Sequence, residues 1–469
     1  MKKGISIKLC LGYGTGALGE AGFYQFVTSF QLIFLTGVVG ISPELAGTIT
    51  SLTILVDAVC SIAVGRFSDH LAWRFGRRRP FVLLSIFSMP VTVILSFTTI
   101  HQSQAVMFAY YTVMGALCWI AYSVFYIPYT ALGAEIATDY DDRIRLRSVA
   151  RVFTIAATFF GTAMPLWVID YFMNKGKSQA QGWFYFVLMF GLLVAAGLFA
   201  CWYTTRGTEP VPETCRERQP LWHVFFDFYQ LLRIKSMAIL MGAKVIFMIA
   251  FTLYTSGMMF FLQYKVGLSG QAISSVYVVS VVVSAVYTPV ISYLALRLGK
   301  QQQVIMAIAI SGTGGLGLYA AGVDSYWSTL LYAALFMYVQ SSYWQISNAI
   351  FYDITEADEY RYGKRREGSI TALQSIAGTL SASIGLQLIG ILLKGAGFDS
   401  SLPVQNEQAL EELARIFILY PSIALLISGA LLYTYPITRR RFLRLQMAID
   451  LKKRGEDYSM YREELDRLL

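Results

Sequence analysis

Long apolar stretches alternate with short polar connections along almost the whole chain, and each stretch is long enough to cross the about 30 Å of a bilayer's hydrocarbon core as an α-helix. Spans fit at roughly 9–38, 44–67, 80–100, 104–136, 148–173, 181–203, 236–264, 270–297, 301–322, 326–356, 367–395 and 408–435, twelve in all. An even number of spans returns both termini to one side. The connections after even-numbered spans hold Arg74 to Arg79, Arg143 to Arg147, Arg206 to Lys235, Arg297 with Lys300, and Arg361 to Arg366; the opposite connections hold only Lys175, Lys177, Lys265 and Lys394. Basic loops stay in the cytoplasm, so this asymmetry predicts cytoplasmic termini and a multi-pass protein of the plasma membrane.

The pattern breaks once, near the midpoint. TRGTEPVPETCRERQPLWHVFFDFYQLLRIK is a charged, proline-bearing linker followed by an aromatic amphipathic stretch, in which Trp222, Phe225, Phe226, Tyr229 and Leu232 recur at helical spacing. Such a stretch is expected at the membrane surface. The chain thus divides into an N-terminal six-helix bundle (1–203), a linker (204–235), a C-terminal six-helix bundle (236–435) and a charged, helix-prone tail (436–469) expected to dock beneath the bundle. Segments such as SITALQSIAGTLSASIGLQLIG are rich in small residues, which let helices approach closely in lipid.

Composition agrees with this architecture and narrows the function. The 469 residues are 56% hydrophobic and 14% charged, with a mean hydropathy of +0.53. The net charge of +9 is spread over alternate loops rather than one soluble face, so it is a topology signal and not a nucleic-acid surface. Five cysteines, odd in number and mostly within apolar runs, carry no metal-ligand spacing and predict neither disulfides nor zinc. The N-terminal apolar run continues to about Val39 without a small-residue cleavage site, so it reads as a retained helix. His70, His101 and His223 lie in loops or at the interface, and no nucleophile and base are paired by a motif; an enzyme is not expected, nor any cofactor.

The chemistry concentrates at DAVCSIAVGRFSDHLAWRFGRRRP, where Asp57 stands in apolar sequence just before a dense basic connection. A charged side chain in a membrane-spanning helix costs about 2.5–3.5 kcal/mol on insertion scales and marks a functional candidate. Arg151 and Glu20 are further ionisable residues within spans. Three unpaired intramembrane charges would together cost roughly 8–10 kcal/mol, so a Glu20, Asp57, Arg151 cluster is expected. Lys244, in the first half of span seven, could also face the cavity, with snorkelling toward the cytoplasm the favoured alternative.

Four motifs can now be read together: GYGTGALGEA from Gly12, the Asp57 to Pro80 segment, IPYTALGAEIATDYDDRIRLRSVAR from Ile127, and YDITEADEYRYGKRREGS from Tyr352. In that order the chain resembles the glycoside-pentoside-hexuronide:cation symporter family of the major facilitator superfamily. The superfamily's cytoplasmic motif is legible as Gly65, Asp69, Gly76, Arg77 and Arg78. The resemblance implies an all-α fold of twelve transmembrane helices in two bundles, alternating access around a central site, a small-molecule sugar or glycoside substrate, a lipid-bilayer setting and a monomer.

It also implies a cation site at Asp57. The family's second span-two acid is Ser61 here, and Ser123 matches a hydroxyl position on span four. Losing a carboxylate removes a hard ligand for Na⁺, whereas desolvation favours the protonated form of a lone acid; H⁺ is therefore the expected coupling ion, with Na⁺ left open by the two serines. Asp57 also admits a purely structural role, bonding a neighbouring helix. In the family's sugar site, the acids of spans one and four become Ala21 and Tyr126, a neighbouring lysine becomes Glu20 and a tryptophan becomes Thr130, while Arg151 and Trp344 are kept. A span-eleven lysine becomes Thr379, with Gln374 nearby. Glu20, Tyr126, Thr130, Arg151, Trp344 and Gln374 are the expected substrate residues, tilted toward an acidic or bulky glycoside; for Tyr126 and Trp344 ordinary packing is the alternative. Tyr13, Tyr24, Trp119 and Tyr122 are expected only to pack. Asp69, Arg77, Arg78, Asp139, Arg143, Asp353 and Glu356 are expected to form gating pairs between bundles. A lysophospholipid carrier and a transport-inactive sensor or scaffold are the rival functions.

Overall fold

The computed structural model describes residues 5–70, 76, 78–136, 140–208, 221–363, 366–399, 402, 404–437, 439–454, 457 and 460–461, and among these there is helix and no strand. The helices are α1 (Ile7–Val38), α2 (Pro43–His70), α3 (Arg79–Ser96), α4 (Gln104–Ile136), α5 (Tyr140–Thr162, resuming as Met164–Asn174), α6 (Gln179–Thr204), α7 (Leu221–Leu232), α8 (Lys235–Lys265), α9 (Gly270–Leu298), α10 (Lys300–Ala321), α11 (Tyr326–Tyr362), α12 (Glu367–Gly395), α13 (Glu407–Tyr433) and α14 (Arg439–Arg454). Eleven of them are long and apolar enough to span a bilayer. The twelfth, α11, has 37 residues and occupies the span expected at 326–356. Gln340, Ser341, Ser342 and Gln345 lower the hydropathy of its middle.

By contact density the chain forms two compact units. Unit 1 holds 1–217 with 255–281 and 386–413; unit 2 holds 218–254, 282–385 and 414–469. In unit 1, α2 packs along α4, α3 packs on α4 and α6, and α1 lies against α5 and α6. The α1–α5 crossing depends on two glycines: a Cβ on Gly161 would stand 2.4 Å from the Gly22 carbonyl oxygen. Unit 1 also gathers the halves of α8, α9 and α12 that adjoin the arginine-poor loops. There Gly47 of α2 meets the backbone of Gly390 in α12, Ser256 Oγ donates to Thr28 O at 3.2 Å, and Glu44 pairs with Lys394. Asp170 accepts from the Gln271 backbone N–H, capping α9. These contacts join the two sequence halves at the arginine-poor end.

In unit 2, α10 packs on α11 and α13, and the tail helix α14 docks on α11. Leu445, Ala448 and Ile449 are buried there, and Lys452 Nζ donates to Tyr360 O at 3.0 Å. The linker helix α7 buries Phe228 and Leu231 while Phe226, Tyr229 and Leu232 stay exposed, as the amphipathic pattern predicts; the side chains of Trp222 and Phe225, and residues 462–469 of the tail, lie outside the described residues. Arg366 fastens α7 to the α11–α12 connection. It donates to Asp358 Oδ2 at 3.0 Å, to Asp227 Oδ1 at 2.8 Å and to Gln230 Oε1 at 2.6 Å, and the hydrogen bonds to these carboxylates hold its guanidinium above the ordinary arginine range.

Candidate functional site

Asp57 stands on the α2 face that packs on α4, where Ser123 Oγ donates to its Oδ1. Ser61, one turn further along α2, lies 3.0 Å from Ser123 Oγ through its own hydroxyl. The three residues thus form one chain of polar atoms across two helices, with Ser123 fully buried. The i, i+4 spacing on α2 puts Asp57 and Ser61 on one face, and four oxygens converge there: two of the carboxylate and one of each serine.

Beside this chain α4 carries a ladder of rings. Tyr122 and Tyr126 stack with centroids 5.4 Å apart and planes 9° from parallel, and Trp119 meets Tyr122 edge-on at 5.7 Å. Tyr24 of α1 packs on both Trp119, at 5.7 Å, and Tyr122, at 5.8 Å. Tyr122 lies within electrostatic reach of Tyr126, Glu20, Tyr24 and Asp57. It therefore sits at the meeting point of the cation and sugar candidates. Glu20 is placed by a π-turn, Leu18–Gly22, inside α1; such single turns are frequent at functional positions.

Tyr13, Tyr24, Trp119 and Tyr122 pack as expected, Tyr13 stacking on Tyr129 at 4.5 Å and the other three on one another beside Asp57. Other expectations need correction. Arg151 is exposed on α5 and makes no hydrogen bond or ion pair among the described residues, so the expected Glu20, Asp57, Arg151 cluster does not form in this conformation. Thr130 spends its hydroxyl proton on Ile127 O at 2.9 Å, leaving only acceptor capacity for a ligand.

Unit 2 contributes a separate set. Trp344 on α11 is 47% exposed and meets Phe251 and Tyr343 edge-on, each at 6.0 Å. Gln374 on α12 is buried and accepts from Lys244 Nζ at 3.5 Å. Lys244 does not snorkel: it turns into the helix packing, toward α11 and α12, while Thr379 spends its hydroxyl on Ser375 O at 3.1 Å.

Two of the expected gating residues find a partner within their own unit. Arg78 binds Glu135 Oε1 at 3.2 Å and Ser68 Oγ at 2.7 Å, all in unit 1. Asp353 is held by Lys300 at 2.8 Å, in unit 2, so its partner lies on the next helix of its own bundle. Glu356 is half-buried on α11. Arg77 and Asp139, and the side chains of Asp69 and Arg143, lie outside the described residues. A cavity of about 170 Å³ opens in unit 1 near the arginine-poor end, lined by Asp170, Gln179, Trp183 and Gln263; it contains none of the expected site residues. Among the described residues no cluster of His, Cys, Asp and Glu could hold a metal ion.

With the geometry in place, similarity to known proteins becomes informative. Residues 12–439 match the family described as MFS/sugar transport protein. The chain is 23% identical over 437 residues to the isoprimeverose transporter of Lactiplantibacillus pentosus, covering 92% of this chain and 88% of that one. It is 25% identical over 464 residues to the glucuronide carrier protein homolog of Escherichia coli (strain K12), covering 97% and 98%. Among solved structures, a D-xylose-proton symporter aligns with a TM-score of 0.62 at 14% identity over 91% of this chain and 97% of that one. The nucleoside transporter NupG aligns with a TM-score of 0.65 at 11% identity, covering 91% and 99%; at such identities these structures share the fold.

Proposed function

The chain belongs to the MFS/sugar transport family and, within it, to the glycoside-pentoside-hexuronide:cation symporters, and from that premise we propose that it imports an acidic sugar or glycoside together with a proton. It is a multi-pass membrane transporter and not an enzyme. The observation that carries the coupling is the Asp57–Ser123–Ser61 chain beside the Tyr122–Tyr126 ladder. A carboxylate fixed by hydroxyls next to a set of ring faces can bind a cation and, through the rings it abuts, bias sugar binding. Coupling requires that each ligand bind better when the other is present, and by linkage the effect is mutual.

In this reading Arg151 offers a planar fork of donors to the acidic group, Tyr126 and Trp344 offer ring faces to the apolar side of the sugar, and Glu20, Thr130 and Gln374 offer hydrogen-bonding atoms to hydroxyls. One carboxylate and two hydroxyls are a sparse cage for Na⁺, which supports H⁺. The basic loops support a cytoplasmic position for both termini, in a bacterial inner membrane. The relatives named for isoprimeverose and glucuronide carriage support the sugar class; Arg151, which has no partner among the described residues, supports the acidic member of it.

Ligand-induced thermal stabilisation of the purified protein tests this directly. The panel spans hexuronides, neutral glycosides and lysophospholipids, each with and without Na⁺ and at two pH values. A ligand at 100 times its Kd stabilises by about 2.7 kcal/mol. Hexuronides are expected to stabilise more at the lower pH and without dependence on Na⁺. Stabilisation by lysophospholipids alone would overturn the sugar reading and leave the fold intact.

A further inference from the structure

Lys244 lies in the interior of α8, with 8% of its surface exposed. Among the described residues its one hydrogen bond goes to Gln374 Oε1 at 3.5 Å, the outer limit for such a contact. An ammonium has three donors, so two remain unspent. The ring of Phe351 stands 5.5 Å from Nζ, a weak offset to a buried charge. Facing the same recess is Tyr343 of α11, 3% exposed and held by a stack on Phe247 at 3.6 Å. Its hydroxyl approaches Ser347, one turn on, without a well-formed hydrogen bond. Lys244, Tyr343, Ser347 and Phe351 line a cavity of about 10 Å³, the room of one water-sized group.

A buried ammonium with one long bond and a buried hydroxyl with only a poorly aligned one are costly neighbours unless something accepts from both. An anion does so. The Gln374 amide can join them, since its NH₂ group still has donors while its oxygen faces the lysine. We propose that Lys244, Tyr343 and Gln374 form an anion subsite within unit 2, which takes one small anionic group: a carboxylate oxygen of an acidic sugar, or a free halide ion. The sugar source rests on the transport reading above; the halide source does not. The subsite supplies the C-terminal bundle with a charged contact that none of Trp344, Gln374 and Thr379 provides.

The test uses the full-length purified protein in a bulky, inert anion such as isethionate at constant ionic strength. Thermal unfolding is followed while bromide, glucuronate or glucose is titrated, in the native protein and in Lys244→Gln and Tyr343→Phe. Saturable stabilisation by bromide assigns the halide source, and stabilisation by glucuronate without bromide assigns the substrate carboxylate. In either case Lys244→Gln is expected to weaken apparent affinity about tenfold or more, the effect of about 1.4 kcal/mol, and Tyr343→Phe to weaken it severalfold. If Lys244→Gln does not fold, Tyr343→Phe, which removes a single oxygen, carries the test. No anion response in the native protein, or an equal response in both variants, overturns the subsite. Stabilisation by neutral glycosides with no anion effect would sink it and leave the transport reading standing; a bromide effect with no response to any sugar would do the reverse.

Discussion

At the scale of single residues, function is proposed to turn on how Asp57 is held. Removing the hydroxyl that donates to it, in Ser123→Ala, leaves the carboxylate in place but takes away its bond and the link to Ser61. Hydrogen bonds to charged groups are worth about 1.5–3 kcal/mol and favour the ionised carboxylate, so apparent proton affinity in proteoliposome uptake should rise about tenfold or more and the pH dependence should move to higher pH; an unchanged pH dependence would remove Ser123 from the site. Arg151→Lys keeps the charge and loses the fork, so hexuronide uptake should drop while neutral glycosides are spared. Equal loss for both would make Arg151 structural. Asp57 is conspicuous in sequence as a lone acid in an apolar run, and the family resemblance points to Ser61 and Ser123; the structure brings the three side chains together. For Lys244 the sequence leaves both outcomes open: whether a lysine in a span snorkels or turns inward depends on the helices around it, and the room beside Gly378 and Gln374 belongs to α12.

At the scale of elements, the spans were legible to within a few residues, as with 44–67 against Pro43–Gly65 and 236–264 against Lys235–Lys265, because hydrophobic length is set by the bilayer. The charged ends were less so. Helix α11 runs on to Tyr362 through EADEYRY, and α5 begins at Tyr140, before its apolar part; hydropathy does not detect helix that leaves the membrane. Packing fixes the rest. Gly161→Ala would drive α1 and α5 apart, at a cost of about 1–3 kcal/mol readable as a lower Tm in detergent; an unchanged Tm would mean that the crossing yields freely. Arg366→Met would leave Asp358, which is fully buried, without its cation. Breaking a buried pair in this way costs about 3–5 kcal/mol, so the variant should unfold earlier and its linker should be cut faster by protease. Resistance equal to the native protein would show that α7 is held by other contacts.

At the scale of the whole molecule, the arginine-poor halves of α8, α9 and α12 share a compact unit with the N-terminal helices, joined by Glu44–Lys394, Ser256–Thr28 and the Gly47–Gly390 contact. A carrier that works by alternating access has to break these contacts in each cycle. Glu44→Cys combined with Lys394→Cys, bridged by a short thiol cross-linker, should therefore stop transport until the bridge is reduced; undiminished transport with the bridge formed would show that this end does not move. The central claim is that Asp57 couples a proton to sugar movement, and it is tested most directly by uptake and counterflow of a labelled glucuronide in proteoliposomes under an imposed proton gradient, comparing the native protein with Asp57→Asn. The account predicts gradient-driven accumulation by the native protein, no accumulation by Asp57→Asn, and counterflow in both. Undiminished accumulation in Asp57→Asn would contradict it.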